Sequence, residues 1–204
     1  MDRTIGIWSI EDKTLVHRFE NAHDDSINSV VVTSNNWYII SGSSDRTIGI
    51  WSIKDKTLFH RFERAHSSTI KSVAVTNNNK YIISGSSDQT SGVWIIAEKV
   101  LFHRFEKAHS EEITSVAVTS GSKYIISVSD DITMGAWSVE DKILFHRLEG
   151  IPPAITSVAV TSDSKYHLRI KGQEDWSLEY WKPTTWISIR SSTPIQSQFD
   201  HRDQ

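Results

Sequence analysis

"HRFENAHDDSINSVVVT" (17–33) returns as "HRFERAHSSTIKSVAVT" (60–76) and again as "HRFEKAHSEEITSVAVT" (103–119). Each copy sets two histidines six residues apart, beside acidic or hydroxyl side chains. Either the chain carries three metal or catalytic sites, or one structural device has been copied three times. The spacing around the stretch bears on the choice. Trp8, Trp51, Trp94 and Trp137 stand 43 residues apart, and His23, His66 and His109 keep the same interval, as do Asp45, Asp88 and Asp131. The period is the main fact of this sequence.

A repeat of about 43 residues points to stacked supersecondary units, a solenoid or a propeller. Within one period the pattern is that of strands. "INSVVVT", "YIISGS", "TIGIWSI" and "TLFHRFE" are short runs rich in Val, Ile, Thr and aromatic residues, separated by the turn formers "SNN", "SSDR" and "KDK". No window holds an apolar stripe at helical spacing. In "TIGIWSI", Ile48 and Ile50 point one way and Trp51 and Ile53 the other. A strand apolar on both faces has to be covered on both, as in sheets stacked against neighbouring sheets.

Composition narrows the function classes. A net charge of −3 over 204 residues, with basic and acidic residues interspersed, lacks the basic stripe of a nucleic-acid binder. The absence of cysteine removes disulfides, thiolate metal sites and thiol nucleophiles. "MDRTIGIWSIEDKTLVHRFE" (1–20) is charged throughout, and no segment has the length and apolarity of a membrane span. The expectation is an intracellular, cytoplasmic protein with no specific nucleic-acid partner and no membrane contact.

The set formed by a histidine before the first strand, the Ser of "YIIS", an Asp six residues before a Trp, and the Trp itself resembles the WD-repeat (WD40) β-propeller family. The resemblance covers residues 2 to about 166. Its departures are Ala22, Ala65 and Ala108 before the histidines, Ser52, Ile95 and Ser138 after the tryptophans, and Gly49, Gly92 and Gly135 in strand three, where the family often has a longer side chain. The fold it implies is all-β: a propeller of four-stranded antiparallel blades, about four of them, partial or a fragment. The expected layout is one propeller region over 1–190 and a disordered tail over 191–204. That region would divide into a half repeat (1–22), repeats 23–65, 66–108 and 109–150, and a degenerate repeat 151–190.

In that family the four residues of one repeat form a hydrogen-bonded chain. By resemblance the sets are His23–Ser41–Asp45–Trp51, His66–Ser84–Asp88–Trp94 and His109–Ser127–Asp131–Trp137. An indole N–H only donates, a hydroxyl donates and accepts, and an imidazole does one of each, so the parts suit such a chain. Ser, His and Asp together also fit a hydrolytic triad, but a nucleophile needs an exposed hydroxyl, an oxyanion site and a pocket. The outer histidines His17, His60, His103 and His146 have no metal-ligand spacing to their neighbours and no cysteine to join them. The structural reading is the stronger, and neither a metal nor a cofactor is expected.

The fourth unit starts well with "ITSVAVTSDSKY" (155–166), then departs. Ile151 or Pro152 stands where His is expected and Arg169 replaces the Ser, while Asp175 and Trp181 recover the six-residue offset. Residues 2–19 supply only strands three and four of a unit. Two accounts follow: these strands complete the broken fourth unit and close a four-bladed ring, or the chain is a piece of a larger propeller. The second is favoured, because the family's rings commonly have seven or eight blades. An open arc would seek self-association through its uncovered blade edges.

Differences between copies mark candidate binding residues. After the His come Asp24, Asp25 and Ser26; Ser67, Ser68 and Thr69; and Ser110, Glu111 and Glu112. Asn28, Lys71 and Thr114 follow in the unit, and Arg46, Gln89 and Ile132 follow the turn Asp. The resemblance places both loops on one rim, at the mouth of a central channel. Trp37 is a further candidate, since Lys80, Lys123 and Lys165 hold the matching positions. The expected function is a non-catalytic protein-interaction scaffold whose rim takes a basic or hydroxyl-rich peptide. The alternative is a truncated WD-repeat fragment without independent activity. An enzyme would have to draw on the non-repeated His167, Arg169, Glu174, Asp175, Asp200 and His201, which form no known catalytic motif.

Overall fold

A computed structural model describes residues 3–149, 155–160, 166–171, 175–182 and 185–191, with side chains described over 3–149 and 157–160. All the regular structure in these residues is β. The chain opens with a two-stranded sheet, β1 (Ile5–Ser9) and β2 (Thr14–Phe19). Four four-stranded antiparallel sheets follow. The first holds β3 (Ile27–Val32), β4 (Tyr38–Ser43), β5 (Ile48–Ser52) and β6 (Thr57–Phe62). The second holds β7 (Ile70–Val75), β8 (Tyr81–Ser86), β9 (Ser91–Ile95) and β10 (Val100–Phe105). The third holds β11 (Ile113–Val118), β12 (Tyr124–Ser129), β13 (Met134–Ser138) and β14 (Leu144–Leu148). The last holds β15 (Ile155–Val160), β16 (Tyr166–Lys171), β17 (Asp175–Lys182) and β18 (Thr185–Ser191). In each, sequence neighbours pair in simple meander order.

The sheets stack through what the repeat copies. Phe19, Phe62 and Phe105, each ending an outer strand, lie 5.1, 4.8 and 5.0 Å from the ring centres of Trp51, Trp94 and Trp137 of the next unit. Tilted aromatic pairs at this separation add to the area they bury. Nearer the inner strands, Ile40, Ile48, Phe62, Ile70, Val73 and Trp94 form one core between the first and second sheets. A matching core of Ile83, Phe105, Ile113, Val116 and Trp137 lies between the second and third. The innermost strands are also pinned by serines, the Val73, Val116 and Val158 N–H groups donating to Ser29, Ser72 and Ser115 Oγ at 3.1, 3.2 and 3.3 Å.

Strand pairing bears on two points at the ends of the repeat array. The fourth unit supplies its own four strands and β1–β2 pair only with each other, so the first strands do not complete that unit. The recovered Asp175–Trp181 spacing is also out of register. Where Gly42 pairs with Ile48 in the first sheet, Ile170 pairs with Trp176 in the last, which sets Asp175 inside β17 opposite Lys171 and not in a preceding turn. The two extra residues have moved the motif along the strand. Ser191, where the tail was expected to begin, ends β18, while residues 192–204 and the side chains of the non-repeated polar residues after 166 lie outside the described residues.

The copies are not all equally well filled. Ser91 stands where the other sheets have Ile48 and Met134, all three buried. Its Oγ has no partner. A buried hydroxyl with no bond costs about 1–3 kcal/mol, and restoring an aliphatic chain adds apolar burial. Ser91→Ile is expected to raise unfolding free energy by about 1–2 kcal/mol in urea titrations. A lowered midpoint would show that the second core has no room left at that position.

Candidate functional site: buried hydrogen-bond sets beneath a loop rim

In each of the first three four-stranded units the histidine arrives on the loop before strand one, the serine in the middle of strand two, the aspartate in the turn after it, and the tryptophan on strand three. His23 Nε2 lies 2.7 Å from Ser41 Oγ, and the Trp51 indole N–H donates to the same oxygen at 2.8 Å. The second and third sets repeat this, with 2.7 and 2.9 Å about Ser84 and 2.7 and 2.8 Å about Ser127. On the other side of the ring, Nδ1 of His23, His66 and His109 faces Asp45, Asp88 and Asp131 Oδ2 at 2.9, 2.9 and 3.1 Å.

One proton arrangement satisfies every group. Each serine accepts from Trp N–H and donates its hydroxyl to His Nε2, leaving Nδ1–H to donate to the carboxylate. Burial lowers the pKa of His23 and His109, outweighing the pull of Asp45 and Asp131, so both rings are neutral at neutral pH. Burial works to raise the Asp45 carboxyl, but hydrogen bonds from Thr47 and the Asp24 N–H overcome it and hold the group below its ordinary value. Asp131 behaves alike, with Thr133 and Ser110 as donors, and Asp88 is held lower still by His66 and Thr90.

Two further members of each set were not anticipated. Thr47, Thr90 and Thr133 donate to Asp45, Asp88 and Asp131 Oδ1 at 2.7, 2.7 and 2.6 Å. Arg61, Arg104 and Arg147, from the "HRF" and "HRL" runs, donate to the Ala22, Ala65 and Ala108 carbonyls at 2.5, 2.6 and 2.7 Å. Each guanidinium also lies over its unit's Trp ring at 5.9, 5.8 or 6.0 Å. The signal was present, since Thr and Arg recur at the 43-residue interval in all three copies. The glycines explain themselves at the same place. Gly49 pairs with Arg61, and a Cβ on Gly49, Gly92 or Gly135 would come within 2.5–2.6 Å of the indole nitrogen. Only glycine lets the ring lie across its own strand to reach the serine.

Ser41, Ser84 and Ser127 are wholly buried and engaged on both sides, so no hydroxyl is presented to a substrate. No group of three or more metal-ligating side chains assembles among the described residues.

The carboxylate of each set also ties down the loops above it. Asp45, Asp88 and Asp131 Oδ2 each accept the N–H of the residue after the histidine, Asp24, Ser67 and Ser110, at 2.9 Å. Ser44 N–H bonds to Ser26 O at 2.9 Å, and the Arg46 and Gln89 carbonyls accept from His66 N–H and His109 N–H of the following unit. The loop before strand one and the turn after strand two thus lie side by side, and the turn reaches the next unit.

The rim residues divide by what they do. Asn28 Nδ2 bridges to Ser44 Oγ and to the Ile70 carbonyl of the next sheet, each at 2.9 Å. Lys71 pairs with Glu112 at 3.2 Å across the second and third sheets, and Ser87 donates to Glu112 at 2.7 Å. That Ser87 bond and Lys71 hold the Glu112 carboxyl low against burial, while burial and Glu112 push the Asp130 carboxyl up. Thr114 donates to Val128 O. These residues join sheets or strands. Ser68 and Gln89 are half-buried in the loops, whereas Asp24, Asp25, Arg46, Ser67, Glu111 and Ile132 are exposed. Trp37, also exposed, sits in the turn between β3 and β4, at the far end of the sheet from this rim.

Two outcomes test the sets. Ser84→Ala strands a buried indole N–H and an imidazole nitrogen, and is expected to cost about 2–4 kcal/mol in urea unfolding, against under about 0.5 for Ser67→Ala on the rim. The lowered histidine pKa values fix a sign for pH. The unfolded chain takes protons near the ordinary histidine value of 6.5 that native His23 and His109 refuse, so stability is full above that pH and falls below it. The buried aspartates add a second loss below their ordinary 3.8. A urea midpoint that stays constant from pH 7.5 to pH 5 would contradict a neutral buried histidine.

The family model described as "WD domain, G-beta repeat" matches residues 13–52, 56–94 and 100–138, more than half of the chain. No curated protein matches it. With three consecutive matches over sheets whose buried sets repeat the same geometry, the chain belongs to the WD-repeat family, whose repeats act as scaffolds for protein interaction.

Proposed function

We propose that this chain is a non-catalytic protein-interaction module, intracellular and cytoplasmic, that binds a peptide segment of a partner across the rim formed by the two loops. The observation that carries this reading is the division of labour around Asp45, Asp88 and Asp131. The carboxylates anchor the loop backbone from beneath, while the side chains that differ between units stay exposed above it. A rigid frame that displays variable side chains suits recognition, because little ordering remains to be done on binding. The interior speaks against catalysis, since the only Ser–His–Asp constellations described are buried and satisfied.

Rim chemistry suggests the partner class. Asp24, Asp25 and Glu111 are exposed acids, with Arg46 the exposed base among the candidates. Lys71 is committed to Glu112 and does not offset the acids. A basic or hydroxyl-rich peptide fits this balance. Ile132 adds an apolar point, exposed at a φ of 65°, a conformation unfavourable for a β-branched residue.

Immobilised Lys/Arg-rich and Ser/Thr-rich peptides probed with the full chain test the proposal. Reversing Asp24, Asp25 and Glu111 to arginine together is expected to weaken retained basic peptides about tenfold or more at low salt, with unfolding midpoints nearly unchanged. Ile132→Asn separates contact from folding: stability rises by about 1 kcal/mol as the strained φ is relieved, while binding weakens. Equal binding by all of these variants would remove the rim as the site.

Self-association is a second use of the surface, carried by apolar side chains exposed at the β1–β2 end: Trp8, Leu15 and Val16 on β1 and β2, and Val30 and Val32 on β3. Light scattering on the purified chain reads this directly, a defined dimer supporting it and a monomer over the micromolar range opposing it.

A further inference from the structure

Trp37 is a sequence candidate that the rim does not absorb. It stands in the turn between β3 and β4, 64% exposed, at the end of the sheet away from the rim. Lys80 and Lys123 hold the same place in the next two units. They too are exposed, although the turn of the preceding unit packs against each of theirs. Exposure therefore belongs to the position itself and not to what lies beside the unit. A lysine there folds back on its own strand, with Lys80 and Lys123 Nζ 4.9 and 5.3 Å from the centres of the Tyr81 and Tyr124 rings. The indole does not, and among the described residues no ring or cation packs on it.

The amides around Trp37 all face one way. Asn35 Oδ1 accepts the Trp37 N–H at 3.1 Å, and Asn79 Oδ1, from the next unit's turn, accepts the Ser34 N–H at 2.8 Å. Asn78 Oδ1 takes the Lys80 N–H and the Thr76 hydroxyl at 3.0 and 2.7 Å. Each carboxamide has its oxygen engaged in a turn, which leaves its NH2 end, with two donors, for solvent. Asparagine suits these turns for a local reason. Asn36 and Asn79 sit at φ of 58° and 56°, a left-handed conformation that asparagine tolerates better than most residues. Residues 33–38 and 76–81 contain no acid, and their one cation, Lys80, is turned onto Tyr81. Beside an exposed indole, with its own N–H, these turns present donors.

A ligand matched to this surface accepts hydrogen bonds, donates few, and has a flat apolar side. A sugar fits poorly, because its hydroxyls donate as readily as they accept. An ordinary peptide carries an N–H at almost every residue. A proline-rich segment has none at its prolines, and in the polyproline II helix its carbonyls make no internal bonds. Its rings dock on aromatic side chains, and it enters binding already extended, so little ordering is left to do. We propose that Trp37, with the Asn35 and Asn79 amides, is a docking point for a proline-rich segment of a partner in the polyproline II conformation. The indole stacks on a proline ring, and the two amides donate to carbonyls beside it. The rim lies at the other end of the sheets and takes no part.

The repeat supplies variants that test this without disturbing the fold. Trp37→Lys installs the exposed residue of the second and third units. Asn79→Ser installs that of the third, where Ser122 Oγ accepts the Asn77 N–H at 3.1 Å. The bond between turns is thus kept while the free NH2 is lost. Calorimetric titration of the full chain with decaproline is expected to give saturable one-to-one binding at a Kd of about 10–500 μM. Trp37→Lys is expected to weaken it about tenfold or more, and Asn79→Ser about threefold to tenfold. Asp24→Arg with Asp25→Arg on the rim leaves it unchanged. Decaproline binding that survives Trp37→Lys would overturn the proposal, as would equal binding of cellohexaose or of a Gly/Ser peptide of the same length. An affinity unaltered by Asn79→Ser would remove the amide contact. No heat of binding up to millimolar decaproline would remove the site altogether.

Discussion

A buried serine hydroxyl holds each unit together. Ser41, Ser84 and Ser127 lie where a strand-three indole and a loop imidazole converge, and each is the one group in its set that both accepts from the first and donates to the second. Remove the oxygen, and a donor and an acceptor are left without water in the core, where an unmet group costs more than a made bond contributes. The remaining polar contacts extend outward from this point. The imidazole passes the chain to the aspartate, and the aspartate gathers the threonine hydroxyl and the N–H groups of two loops.

The arrangement turns a core device into a surface property. Loops above a sheet edge are ordinarily its most mobile part, yet here their backbone is fastened to a carboxylate that is itself half-buried. Side chains projecting from those loops can then differ between units without loosening the frame. Asn28, Lys71 and Glu112 use that freedom to join neighbouring sheets, and Asp24, Asp25 and Glu111 use it to face outward. Stacking has the same economy. The Phe that ends one unit packs on the Trp of the next, so each unit is finished only by its neighbour; Trp8, with no such Phe against it among the described residues, and Val30, with no inner strands beside it there, are exposed.

Most of the fold was legible because a 43-residue period shows directly which positions are constrained. Identical spacing of His, Asp and Trp reported the sets, and alternating apolar and turn residues reported the strands. Legibility failed where spacing and register part company. Asp175 and Trp181 keep the six-residue offset, yet two inserted residues slide them along β17, and a sequence interval cannot register a shift in pairing. The roles of Thr47 and Arg61 escaped for a related reason. A side chain copied three times looks alike whether it packs, bonds or merely faces solvent, and only its distance to Asp45 or Ala22 separates these.

The sequence by itself determined the repeat, the β character of each segment and the chemical fitness of His, Ser, Asp and Trp for one hydrogen-bonded chain. These are local or periodic properties, written in residue types and intervals. Tertiary structure alone decided which rim residues join sheets and which remain exposed, why strand three needs glycine beneath its tryptophan, and that the last unit closes on its own strands. Each of those depends on which surfaces meet across sheets, and meeting is a property of packing that no single repeat contains.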